Sequence, residues 1–354
     1  MPIAALRAPL PDPATDIADA VRARIDGLAK PPGSLAALET LAVRLAAAQG
    51  RSTPVADRAR VVVFAGDHGV AREESVSPYP PEVTASMVRT FAAGRAAVAV
   101  LARQAGAELE VVDVGVAGLT GLPPGTDGVR VVGARVAEGT ANLAAGPAMT
   151  PAQRDEALQA GAAAADRAAA DGVQVLALGE MGIGNTTPAT AITCRLLGRP
   201  AEELTGPGTG LDGAGVSHKA RVIQRALDRT DVTGPLDVLA ELGGFELVAL
   251  VGCMLQAAHH RIPVVLDGFI VGASALAAVR LDPRLRPYLV AATRSAEPGH
   301  AAILAAVDAG EPLLDLGLRL GEASGAALAL PLLRSACAIV EGMATLDDVL
   351  SGRI

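Results

Sequence analysis

The 354-residue chain contains no tryptophan, four phenylalanines and two tyrosines, so aromatic residues make up only 2% of it. Platforms on which nucleic-acid bases stack are correspondingly scarce. Lysine and arginine total 30 against 38 acidic residues, a net charge of −8, and no basic run interrupts that balance. Composition therefore excludes a nucleic-acid surface. The three cysteines, Cys194, Cys253 and Cys337, are too few, too widely spaced and odd in number for a disulfide scaffold. Their usage fits a reducing cytoplasm. Mean hydropathy is +0.38, yet the longest uncharged apolar stretch, Leu247–His260, falls short of the ~20 residues a spanning helix needs. The opening MPIAALRAPLPDPATD has no basic-then-apolar leader pattern. With 51% hydrophobic and 19% charged residues, the expectation is a cytoplasmic globular enzyme that takes no membrane partner.

Other scarcities are more local. There are 28 arginines but two lysines, Lys30 and Lys219, and two asparagines, Asn142 and Asn185. Lysine is a compact point charge where arginine is a planar fork. Asparagine offers both a donor and an acceptor. A chain this sparing with them is expected to keep them where arginine, glutamine or serine does not serve.

Apolar, β-branched runs alternate with alanine-rich helical patterns. Strands are predicted at Arg60–Ala65, Leu109–Val114, Val129–Val132, Val173–Leu178, Pro263–Leu266 and Tyr288–Ala291. Several are continuous apolar runs, as strands buried on both faces are. Helices are predicted at Pro81–Gln104, Pro151–Asp171, Pro188–Leu197, Ala214–Arg229, Phe245–His260, Val271–Val279 and Pro298–Val307. This rhythm predicts an α/β fold with a doubly wound, mostly parallel sheet. Residues 14–49 read as two helices broken at Lys30-Pro-Pro-Gly33, and 324–342 as one apolar helix. The expected division is an α/β nucleotide-binding domain over 50–320 and a small helical domain from 1–49 plus 321–354.

Ligands of an open parallel sheet sit beyond the carboxyl ends of its strands. Four acids lie beside glycine at such ends: Asp67, Asp113, Glu180 and Asp267. The stretch Gly179-Glu-Met-Gly-Ile-Gly-Asn-Thr-Thr-Pro188 follows a strand and opens a helix, with Thr187 as expected cap and Pro188 at the first helical position. Gly182, Gly184, Asn185, Thr186 and Thr187 thus read as a phosphate cradle at a helix N-terminus. It is not a P-loop, since no Gly-Lys-Ser/Thr follows. A formal G-x-G-x-x-G spans Gly208 to Gly213 but follows no predicted strand, which rejects a dinucleotide fingerprint. Its glycines are a second anion face, with Lys219 inside the helix that follows. Glu322, in Gly321-Glu-Ala-Ser-Gly325, has two readings. Desolvation raises its pKa and makes it a base; a helix N-terminus lowers it. Neither a metal cluster nor a nucleophile elbow is present in the sequence.

Taken in order, Lys30-Pro-Pro-Gly-Ser-Leu35, Ala65-Gly-Asp-His-Gly69, Gly179–Thr187, Glu241-Leu-Gly-Gly-Phe245, Leu266-Asp-Gly-Phe269 and Gly321–Ala327 resemble one family. It is the nicotinate-nucleotide:dimethylbenzimidazole phosphoribosyltransferase (CobT) family of cobalamin biosynthesis. The resemblance runs from about residue 20 to 345. Both lysines and Asn185 fall in matching segments, and Asn142 in a further one. The resemblance implies a cofactor-free transfer of phosphoribose from nicotinate mononucleotide to a benzimidazole by a homodimer. It also implies a doubly wound sheet with a small helical domain. Glu322 is the implied base, with Glu180 orienting the base or sugar and Lys219 giving electrostatic support near the phosphate. The Gly182–Thr187 backbone and the Gly208 loop are implied to hold the phosphate, and Asp267 and Gly268 the nucleotide.

Three positions depart from the family. Tyr79 and Met87 stand where well-studied members carry serine and glutamine in the base pocket. Ala323 replaces a common glycine. A pocket that binds nucleotide without turnover is disfavoured by the joint retention of Glu322, Glu180 and Lys219. A nicotinamide-dependent oxidoreductase is disfavoured by the misplaced glycine fingerprint.

Overall fold

A computed structural model describes residues 8–353. The first seven residues, which belong both to the leader reading and to the proposed helical domain, lie outside the described residues, as does Ile354. Six strands form one wholly parallel sheet: β1 (Ala59–Gly66), β2 (Glu108–Gly115), β3 (Val129–Gly133), β4 (Val175–Met181), β5 (Val264–Leu266) and β6 (Leu289–Ala291). Their spatial order is β3-β2-β1-β4-β5-β6. The chain winds outward from β1 in both directions, which places a topological switch point between β1 and β4.

Side chains of the strands alternate between two cores. Val62, Phe64, Val112, Val114, Leu176 and Leu178 face a layer that includes the helices Pro151–Ala170, Phe245–His259 and Phe269–Leu281. Val61, Val63, Val111, Val175 and Ala177 face the other layer, which includes Ser324–Gly342, Ala37–Gln49 and Val83–Ala92. Burial on both faces is why these strands read as continuous apolar runs. The terminal helices Thr15–Asp26, Ala37–Gln49 and Ser324–Gly342 contact one another and share their core with the sheet. The break after Asp26 is closed by an ion pair of Lys30 with Glu39 at 2.9 Å.

Some boundaries differ from expectation. The single helix over Pro81–Gln104 is two, Val83–Ala92 and Ala97–Gln104, because Gly94 takes φ +69° and turns the chain. The strand foreseen from Val173 starts at Val175, because the Val173 amide donates to Ala168 at the end of the preceding helix. That strand runs on to Met181, so Glu180 lies within β4 rather than after it. Short helices such as Pro235–Leu242 and Leu346–Ser351 were not foreseen. Val83–Gln104 and Ser324–Gly342 have the length and composition of membrane spans, but half of each is buried against this core.

Candidate active site

The carboxyl ends of β4, β5 and β6 open into a cleft of about 570 Å³. One wall is the helix Val83–Ala92 and the turn before it, which contribute Tyr79, Val83 and Met87. The floor is the β4 end and the following turn, from Glu180 to Thr186. The far side comes from Asp267–Ile270 after β5, from Thr293, Ser295 and Glu297 after β6, and from Gly317–Gly325.

Glu322 sits in a turn that local sequence alone does not favour. Glu322 and Ala323 both take left-handed backbone, φ 63° and 65°, at about 1 to 3 kcal/mol each for non-glycine residues. Tertiary contacts hold the turn. Gly179 of β4 makes room for it, since a Cβ there would lie 2.2 Å from the Ala323 amide nitrogen. Asp267 Oδ1 accepts the Gly325 and Ala326 amides at 2.7 and 3.0 Å, which caps the helix Ser324–Gly342 from another element. Glu322 is buried, and no described residue hydrogen-bonds its carboxylate. Burial, then the negative charge of Asp267, pushes its pKa up to about 7. Of the two readings of Glu322, desolvation outweighs the helix N-terminus.

Glu180 is more deeply placed. Burial pushes its pKa up to about 8, and Asp267, Glu246 and Glu322 add to the rise. Asn185 opposes it by donating Nδ2–H to Oε2. Asn185 occupies the cap position of the helix Thr186–Leu197, and its side chain serves Glu180 instead of the cap. The expected cap, Thr187, is thus displaced into the first turn, with a buried hydroxyl that has no partner. The helix still directs its N-terminal end at the cleft through Asn185 and Thr186.

Lys219 lies behind this surface. It is fully buried, and Nζ donates to Thr186 Oγ1 at 3.2 Å. Burial lowers its pKa to about 8, against the pull of Glu297. Gly208, at φ +55°, lets the glycine loop pass close by; a Cβ there would lie 2.9 Å from Thr186 Oγ1 and 3.3 Å from Lys219 Nζ. The Gly208 amide donates to Glu297 Oε1 at 2.9 Å.

Ten of the predicted site residues share the cleft lining: Tyr79, Met87, Glu180, Gly182, Asn185, Thr186, Gly208, Asp267, Gly268 and Glu322. Gly184, Thr187 and Lys219 do not reach its surface. Gly184, at φ +84°, packs against Ala71. Of the four strand-end acids, Glu180 and Asp267 line the cleft, whereas Asp67 and Asp113 turn into loops. Asp67 accepts the Ala117 amide, and Asp113 accepts the Gly115 and Val116 amides and pairs with Arg135. Asn142 binds Glu73 and Glu74 away from the cleft. The glycine fingerprint Gly208–Gly213 lies between the helices Ala201–Leu204 and Gly213–Arg229, so no strand leads into it. Sequence reasoning missed Ser295, Glu297 and Arg319, all in the lining. The acid-beside-glycine rule at strand ends points to Glu297-Pro-Gly299 as well, but the separation from β6 hides it.

A buried carboxyl pair beside a helix N-terminus and a buried lysine suits a nucleotide whose anomeric carbon is under attack. A family model described as phosphoribosyltransferase matches residues 10–349, so the cleft is that of a phosphoribosyl-transferring enzyme. Proteins of Pseudomonas fluorescens and Pseudomonas putida named nicotinate-nucleotide–dimethylbenzimidazole phosphoribosyltransferase are 53% and 54% identical to this chain. The alignments cover 94% of both chains in the first case and 93% of both in the second. The crystal structure of CobT from Thermus thermophilus superposes with a TM-score of 0.89 at 48% identity, over 94% of this chain and 98% of that one. The chain belongs to this family of phosphoribosyltransferases.

Proposed function

We propose that the enzyme transfers the 5-phosphoribosyl group of nicotinate mononucleotide to 5,6-dimethylbenzimidazole or a related base. The products are α-ribazole 5′-phosphate and nicotinate, and the ribotide supplies the lower nucleotide loop of cobalamin. In the reaction the bond from the anomeric carbon to the pyridinium nitrogen breaks, and its electron pair neutralises that nitrogen. A ring nitrogen of the base attacks from the opposite face and forms the new bond. The proton on the base's other ring nitrogen passes to Glu322.

The observation that carries this reading is the Glu322 carboxyl, buried at the cleft without a hydrogen-bond partner and with a pKa raised to about 7. Such a group accepts a proton near neutral pH, where a base contributes typically ~10²–10⁴-fold. Glu180, held by Asn185, orients the sugar or base. The amide end of the helix Thr186–Leu197, the Gly208 loop, Lys219 behind it and Arg319 at the rim support the 5′-phosphate. Asp267 and Gly268 border the nucleotide, and Asp267 also holds the Glu322 turn. Tyr79, Val83 and Met87 present a mostly apolar wall to the base.

In this reading residues 50–320 bind the nucleotide, and 8–49 plus 321–353 are the described part of a helical domain that brings Glu322 to them. The enzyme acts as a cytoplasmic homodimer. Three buried free cysteines and exposed apolar residues, among them Leu316, Leu320, Leu346 and Leu350, support this. Sedimentation of the purified protein at twice the 35.5 kDa chain mass checks the dimer.

The central test incubates the protein with nicotinate mononucleotide and dimethylbenzimidazole, benzimidazole, adenine or p-cresol, without added metal. Nicotinate release and α-ribotide are followed by chromatography. Product is expected with benzimidazoles. No product with any base, from a folded protein that binds the mononucleotide, overturns the transferase reading for a binding module.

A further inference from the structure

One wall of the cleft and its floor come from segments far apart in the chain. Val83 and Met87 lie one helical turn apart and face the cleft. Thr84, on the same helix, is rotated away from it and fully buried. Its Oγ1 accepts the Ile183 amide at 3.1 Å, across 99 residues of sequence. Ile183 lines the cleft between Gly182 and Asn185 in the turn that carries the β4 end into its helix. Among the described residues this is the one hydrogen bond between the Val83–Ala92 helix and the Glu180–Thr186 segment.

The bond is costly to lose. The Ile183 amide lies in a turn and has no carbonyl acceptor among the described residues, and a buried amide left unpaired destabilises the geometry that buries it. A hydroxyl both accepts and donates. Thr84 thus joins two elements, the helix bearing the base wall and the turn beside Glu180. Apolar contact alone lets a helix slide or roll by fractions of an ångström, whereas a directed bond sets its register against the neighbouring backbone.

We propose that Thr84 is a positioning residue for the accepted base: by fixing Val83 and Met87 against the Glu180 turn, it sets where the attacking ring nitrogen sits relative to the sugar. The inference rests on the transferase reading of the cleft. It bears more on the base than on the mononucleotide, because Val83 and Met87 ride on the Thr84 helix, while Thr186, Gly208 and Lys219 also brace one another on the phosphate side.

The experiment compares full-length wild type with Thr84→Val, Thr84→Ala and Thr84→Ser, measuring KM for the base, KM for nicotinate mononucleotide, and kcat. Valine keeps the shape and removes the hydroxyl; alanine removes it without valine's second methyl; serine restores it. The expected result is a base KM raised on the order of tenfold in the Val and Ala variants, with the mononucleotide KM unchanged and the Ser variant close to wild type. An unchanged base KM, an equal rise in both KM values, or failure of serine to rescue overturns the proposal. Absence of turnover in the wild type overturns the transferase reading itself, so the two failures are distinguishable.

Discussion

Asp267 Oδ1 and the Gly325 amide, 2.7 Å apart, tie the end of β5 to the turn that carries Glu322. The same carboxylate that holds the turn also raises the pKa of Glu322 by its charge. Structure and electrostatics therefore meet in one residue, and a substitution separates them. Asp267→Asn keeps an oxygen for the Gly325 and Ala326 amides and removes the charge. The acid limb of the kcat/KM–pH profile is expected to move to lower pH than in wild type. An unmoved limb would separate Asp267 from the base.

Glu322→Gln tests the base directly. The side chain keeps its size and cannot accept the proton. Turnover is expected to fall by ~10²–10⁴-fold, with both substrates still binding by calorimetry. In wild type the activity should rise with pH through about 7, since Glu322 must lose its proton to act and titrates there. A Gln variant with wild-type turnover rejects the assignment.

Lys219 titrates at about 8 because it is buried, so its charge is present below that pH and lost above it. If it supports the phosphate, KM for nicotinate mononucleotide rises as pH passes through about 8. Lys219→Met should weaken mononucleotide binding by roughly 10- to 100-fold, as loss of a charged hydrogen-bonding partner does. It should also remove that pH dependence and leave the base KM alone. Steady-state kinetics from pH 6.5 to 9 decide it.

Ala323 holds left-handed backbone with φ 65°. The left-handed region is unfavourable for alanine by about 1 to 2 kcal/mol and open to glycine. Ala323→Gly should therefore raise the melting temperature by a few degrees and leave Glu322 in place. Calorimetry in the absence of substrates measures it; a lower melting temperature would mean that the methyl's packing outweighs the strain.

Much was legible before any coordinates. Alternation of β-branched runs with alanine-rich segments specified a parallel sheet, because strands covered on both faces need apolar residues at every position. The rare residues were also good pointers. Asn185 and Lys219 lie at or just behind the cleft, and Lys30 closes a loop on Glu39. Asn142 was the exception, spent on Glu73 and Glu74. The acids at strand ends were half informative. The pattern Asp-Gly or Asp-x-Gly reports a strand end, but not whether the carboxylate faces a pocket or its own loop, as Asp67 and Asp113 do.

What the sequence by itself determined was the set of chemical groups and the edge of the sheet at which they gather, because strand periodicity and turn chemistry are local. Which of those groups face one another was decided only in three dimensions. The Glu322 carboxyl is pushed up to about 7 by burial and by the charge of Asp267, 55 residues earlier, which also caps its helix. Thr187 lost its capping role because Asn185 turned to Glu180. Thr84, a buried helix residue, joins one wall of the cleft to its floor because Ile183 folds back onto it. Desolvation and long-range hydrogen bonds depend on what packs against a residue, and that is a property of the tertiary fold.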